Sequence, residues 1–153
     1  MHRLVSLWSR ESTGVVELVD ATWQDGVEWR PGDTWTACWG PSLVADAPPY
    51  PGVAVRTIDS RDAPRTALRV EVQHTAPEGR LHRVATTVIR IGSAGAYLSV
   101  GATSLEVPLA GGDYDTEVWV DAAEPELVTH VGIWLRARTG EWPPAGRGSP
   151  LAL

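Results

Sequence analysis

The chain has 153 residues, a hydrophobic fraction of 43% and a formal net charge of −6. That length supports a single domain with a sizeable core, and no run approaches the ~20 apolar residues of a membrane helix. The negative balance argues against a general nucleic-acid binder, which needs a basic footprint, and suits a soluble protein or one whose partner is basic.

The opening stretch, "MHRLVSLWSRES", carries one early Arg and a short apolar run broken by Ser6. It lacks the apolar region and cleavage site of a signal peptide, so a cytoplasmic location is the default expectation. From there the 15 Gly and 12 Pro punctuate short apolar stretches, a pattern that reads all-β. "GVVELVD" (14–20) predicts a strand with Val16 and Leu18 on one face. "TWTACWG" (34–40) places Trp35, Ala37 and Trp39 together, with Cys38 opposite. Cys38 is the single cysteine, which rules out an internal disulfide and hints at a reducing compartment. "LVADAPPYPG" (43–52) reads as a Pro-rich loop and "GVAVRTI" (52–58) as a further strand.

"ALRVEVQH" (67–74) alternates Leu68, Val70 and Val72 inward against Arg69, Glu71 and Gln73 outward. "RVATTVIRI" (83–91) is rich in β-branched residues, and a hairpin joining these two strands would bring His74 toward His82. "GSAG" before "AYLSV" (96–100) has the composition of a hairpin turn. "SLEVPL" (104–109) contains Pro108, which cannot donate to a ladder and marks an edge strand. "AGG" (110–112) turns the chain into "DYDTEVWV" (113–120), and "AAEPE" (122–126) is a loop. "LVTHVGIWLRA" (127–137) buries Val131, Ile133 and Leu135. No apolar pattern holds a helical spacing for three turns. The expected architecture is a single-domain antiparallel β-sandwich over residues 1–138, with 139–153 a loosely ordered C-terminal tail.

The chemistry-bearing residues form no catalytic signature. The four histidines make neither an HxH nor an HExxH pair, Cys38 lacks a CxxC partner, and no nucleophile elbow or phosphate loop is present. Neither a metal nor a cofactor is expected. Asp113, Asp115 and Glu117 alternate, so their Cβ atoms lie about 7 Å apart along one strand face. That separation falls within the roughly 5–9.5 Å of a glycosidase pair. Any strand with an outward acidic face meets it, however, and surface solubility is the simpler reading.

Eight tryptophans beside no Phe are more informative. Trp23, Trp29, Trp35 and Trp39 fall within 17 residues, as core filling or as a stacking platform for a carbohydrate or small ligand. Trp119 shares strand parity with Asp113, Asp115, Glu117 and Asp121; Trp134 shares it with His130, Arg136 and Arg138. Both indoles are then at least partly outward, either as interface anchors or beneath a covering segment. The expected binding set is Asp113, Asp115, Glu117, Trp119, Asp121, Trp134 and Arg136. All 13 basic residues are Arg, which together with abundant Ala, Gly and Pro reads as a GC-rich bacterial coding bias.

Over residues 81–121, "LHRVATTVIRIGSAGAYLSVGATSLEVPLAGGDYDTEVWVD", about a quarter of the chain, the pattern resembles the competence protein J family. These are inhibitors of the bacterial DNA-entry nuclease, with related proteins of unassigned function. In that family a Leu-Pro-x-Gly-x-Tyr stretch occupies the turn. The counterpart here is "PLAGGDY" (108–114), with Gly112 and Tyr114 matching and Ala110 in place of the Pro. The resemblance implies a small β-sandwich that acts by binding a nuclease or toxin, as an inhibitor or immunity protein and not as an enzyme. An acidic sheet edge would steer a basic partner, and Trp119 with Trp134 and Arg136 would anchor it. A carbohydrate or small-ligand binder and a structural component of a larger assembly are the alternatives.

Overall fold

The computed structural model describes residues 3–23, 29–37, 49–76 and 79–138. Within them two five-stranded sheets pack face to face. The strands are β1 (Arg3–Ser9), β2 (Thr13–Asp20), β3 (Thr36–Ala37), β4 (Gly52–Asp59), β5 (Leu68–Gln73), β6 (His82–Ile91), β7 (Ala96–Val100), β8 (Thr103–Val107), β9 (Gly112–Val120) and β10 (His130–Ala137). A 3-10 turn, Pro125–Leu127, precedes β10. Sheet A has the order β1-β5-β10-β9-β6 and sheet B the order β3-β4-β2-β7-β8. All pairings are antiparallel except β5 with β10.

Period-two alternation builds the core. Val16, Leu18, Val53, Val55 and Leu98 of sheet B meet Leu68, Val70, Val72, Val118, Val120, Ile133 and Leu135 of sheet A, all fully buried. Each such aliphatic side chain contributes about 1.5–3 kcal/mol on leaving water. The β7–β8 hairpin turns at Gly101, where φ is +58° and an added Cβ would overlap the Glu11 carbonyl oxygen. Only glycine satisfies both demands.

The sandwich and most of its strands follow the alternation in the sequence, and β8 ends just before Pro108 at the rim of sheet B. Two local expectations fail, the β5–β6 hairpin and the "GSAG" hairpin turn, and one strand was not foreseen. Arg3–Ser9, which carries no strong alternation, forms β1 against β5. β5 and β6 are not a hairpin: β10 and β9 lie between them, so His74, just past the end of β5, and His82, at the start of β6, are not brought together by a shared turn. "GSAG" carries the chain from sheet A to sheet B, not between paired strands, with Gly95 N–H bonded to the Gly92 carbonyl. The 34–40 strand extends only over Thr36–Ala37 among the described residues; Cys38, Trp39 and the 139–153 tail lie outside them.

β9 itself is extended throughout, with Tyr114, Thr116, Val118 and Val120 buried. It is an interior strand, however, flanked by β10 and β6, and not a sheet edge. The turn before it is locked by the Tyr114 hydroxyl, which donates to the Ala110 carbonyl at 2.6 Å. This is the geometry of a tyrosine corner, in which a phenol near a strand start bonds a carbonyl a few residues upstream.

Candidate functional site: the outer face of sheet A

The register places the second stripe of β9 on the outer face of sheet A, between matching stripes of β10 and β6. Asp113 stands across from Arg90, Asp115 between Arg136 and Val88, Glu117 between Trp134 and Thr86, and Trp119 between Gly132 and Arg83. Beyond β10, β5 contributes Arg69, Glu71 and Gln73, and Trp8 of β1 lies across from Arg69.

Each carboxylate of the stripe is engaged within the sheet. Arg90 grips Asp113 with two hydrogen bonds, Nε to Oδ1 at 2.7 Å and Nη2 to Oδ2 at 3.0 Å. Those bonds hold Asp113 below its ordinary pKa. Arg138 Nε lies 3.2 Å from Asp115 Oδ2, yet burial dominates there and pushes Asp115 up. Glu117 is only 3% exposed; its Oε1 accepts the Trp119 indole N–H at 2.8 Å, and Arg83 Nη1 lies 3.6 Å from its Oε2. Asp121 sits just past the strand and accepts from the backbone N–H groups of Thr129 and His130, at 2.9 and 3.0 Å, and from the Thr129 hydroxyl. It ties off the β9–β10 connection.

The two indoles differ. Trp119 is partly exposed and stands beside Gly132, which has no side chain to cover it. Trp134 keeps the predicted outer-face parity but is not outward in the sense expected. It is 8% exposed, and its indole N–H donates to the His74 carbonyl at 3.1 Å. Arg136 lies over the Trp134 ring, its guanidinium carbon 4.8 Å from the ring centre, and burial lowers its pKa.

Single-sequence reasoning missed the cations that complete this face. Arg83, Arg90 and Arg138 pair with the acids of β9. A second knot joins Glu71 to His130 Nε2 at 2.9 Å and to Arg69 Nη2 at 3.4 Å, and Arg69 stacks on Trp8, which is 63% exposed. Outward parity of "RVE" in β5 was visible in the sequence; which strand lay beside it was not.

Of the tryptophans at 23–39, Trp39 lies outside the described residues and the other three have different neighbours. Arg56 lies over Trp29 at 4.3 Å, Trp35 packs edge-on against His82 and the core, and Trp23 lines a shallow groove with Tyr50, Pro49 and Pro51. Among the described residues no group of three or more His, Cys, Asp or Glu is placed to hold a metal ion, and no helix is long and apolar enough to cross a membrane.

The two sheets and their strand order define an all-β sandwich with an aromatic and charged outer face. Within that class the chain has a ComJ-like fold: it is similar to the crystal structure of ComJ, inhibitor of the DNA degrading activity of NucA, from Bacillus subtilis. The match has a TM-score of 0.55 and 12% sequence identity, and it covers 90% of this chain and 98% of that one. No protein-family model and no curated protein matches the sequence.

Proposed function

We propose that this chain is a non-enzymatic, cytoplasmic protein-binding module of the inhibitor or immunity type, which docks a nuclease or toxin on the outer face of sheet A. The observation that carries the reading is Trp119: a partly exposed indole, fixed by Glu117, at the centre of a face of paired charges. Trp and Arg on a preorganised surface are the residue types that anchor interfaces, because they bury much area at little entropic cost. The fold likeness to a nuclease inhibitor supports the same reading.

The role of charge differs from simple acidic steering by β9. This face carries five arginines (Arg69, Arg83, Arg90, Arg136, Arg138) against four carboxylates (Glu71, Asp113, Asp115, Glu117). The face therefore sums to +1 and the rest of the chain to −7, giving the net −6. The summed field attracts a basic partner, while the fixed ion pairs set the register of docking. Hydrogen exchange of the complex with a nuclease captured from the source cell tests this. Protection should appear across Asp113–Asp121 and His130–Arg138; protection confined to sheet B would remove the reading.

A further inference from the structure

The arginines of the outer face are not equivalent. Arg69, Arg83, Arg90 and Arg138 each lie within 4.0 Å of a carboxylate, whereas Arg136 has no such partner among the described residues. Its Nε and Nη1 are out of contact with solvent and donate to no acceptor; Arg69 Nε shares that state, but Arg69 Nη2 lies 3.4 Å from Glu71. The nearby acids favour its charge but do not bond to it: Asp115, directly across, pairs with Arg138, and Glu117 accepts from Trp119 at Oε1 while its Oε2 lies 3.6 Å from Arg83 without a hydrogen bond. A charged donor withheld from both water and acceptor is costly in a native protein, and such groups call for a functional explanation.

Resting on the docking reading above, we infer that Arg136 is a receptor for an acidic side chain, an Asp or Glu that the protein partner inserts into the outer face of sheet A. Three features fit. The guanidinium is planar and suited to a carboxylate. Nε and Nη1 face away from solvent, so an incoming carboxylate engages them by turning the guanidinium outward over the Trp134 ring, which offers it a cation–π contact. Trp134 is itself held by its bond to the His74 carbonyl, so the platform beneath the arginine is fixed before the partner arrives. The partner surface is then basic in sum but carries at least one projecting carboxylate opposite Arg136, which discriminates it from other basic proteins.

Acetate, the smallest analogue of an aspartate side chain, is the probe. It is titrated into the full chain at constant ionic strength, with chloride as the replaced ion, while side-chain NMR follows Arg136 Nε–H and Trp134 Nε1–H. The expected result is a saturable shift of both signals, with half-saturation at least about tenfold below any response of Arg90, which Asp113 already occupies. The Trp134 shift disappears in Arg136→Gln and weakens in Arg136→Lys. Arg136 and Arg90 responding alike, without saturation, in the wild-type chain overturns the inference whatever the variants do. The docking reading stands or falls separately on the exchange pattern of the complex, so either can fail alone.

Discussion

Trp119 donates its indole N–H to Glu117 two residues earlier on the same strand face, at 2.8 Å, and Glu117 is itself 3% exposed. A buried carboxylate thus holds a partly exposed indole in one rotamer. Preorganisation of this kind lowers the ordering cost of an interface anchor.

Glu117 should therefore control stability and indole order together. Glu117→Ala leaves the Trp119 indole N–H without its acceptor and Arg83 without its ion-pair partner, costing about 1–3 kcal/mol. Glu117→Gln keeps an acceptor oxygen for the indole and should cost less. Urea unfolding followed by Trp fluorescence orders the two variants, and equal midpoints would contradict the assignment.

Asp121, although aligned with the outer-face stripe, serves the β9–β10 connection. Asp121→Ala should cost roughly 1 kcal/mol, the ordinary worth of a lost cap. It should speed hydrogen exchange at the Thr129 and His130 amides, both of which bond to the carboxylate. Partner dissociation should be unchanged in the same variant.

Acid sensitivity should trace to Asp20. Burial raises its pKa, but hydrogen bonds from the Thr22 hydroxyl, the Gly92 N–H and the Thr22 N–H outweigh burial and leave it below the ordinary 3.8. A folded value below the unfolded one gives stability that is present above pH 3.8 and lost as pH falls through the lower folded value. Asp115 has the opposite sign: burial raises it, so ionising it opposes folding at neutral pH and that penalty is relieved on acidification. Thermal melts across pH 2–6, an interval of roughly four units around the ordinary carboxylate range, should show less acid loss in Asp20→Asn than in wild type. An unchanged profile in Asp20→Asn would contradict the linkage.

Gly101→Ala should be strongly destabilising. It forces a side chain into the left-handed region against the Glu11 carbonyl, at a cost of roughly 1–3 kcal/mol or more. A wild-type melting temperature would show that the β7–β8 turn relaxes freely.

The sandwich was legible because burial of one sheet face imposes a period of two, and "ALRVEVQH" and "DYDTEVWV" carry that period cleanly. The partners of the acids were not legible. Arg90 meets Asp113 and Arg138 meets Asp115 through strand register, which no single strand encodes. The same limit explains Trp134: parity puts it on the outer face, but the neighbouring Gln73 and Glu117 and the His74 carbonyl, which determine its surroundings, come from β5, its end and β9. β1 escaped notice because "RLVSLWS" mixes apolar residues on both faces, as suits a strand whose outer-face Trp8 stays exposed.

The most direct test of the docking face is the dissociation rate of the captured partner from Trp119→Ala, measured beside wild type and Tyr97→Ala on sheet B. The account predicts a loss of about 2 kcal/mol, roughly thirtyfold faster dissociation, for Trp119→Ala alone. A correctly folded Trp119→Ala that releases the partner at the wild-type rate, with Tyr97→Ala releasing it faster, would contradict it.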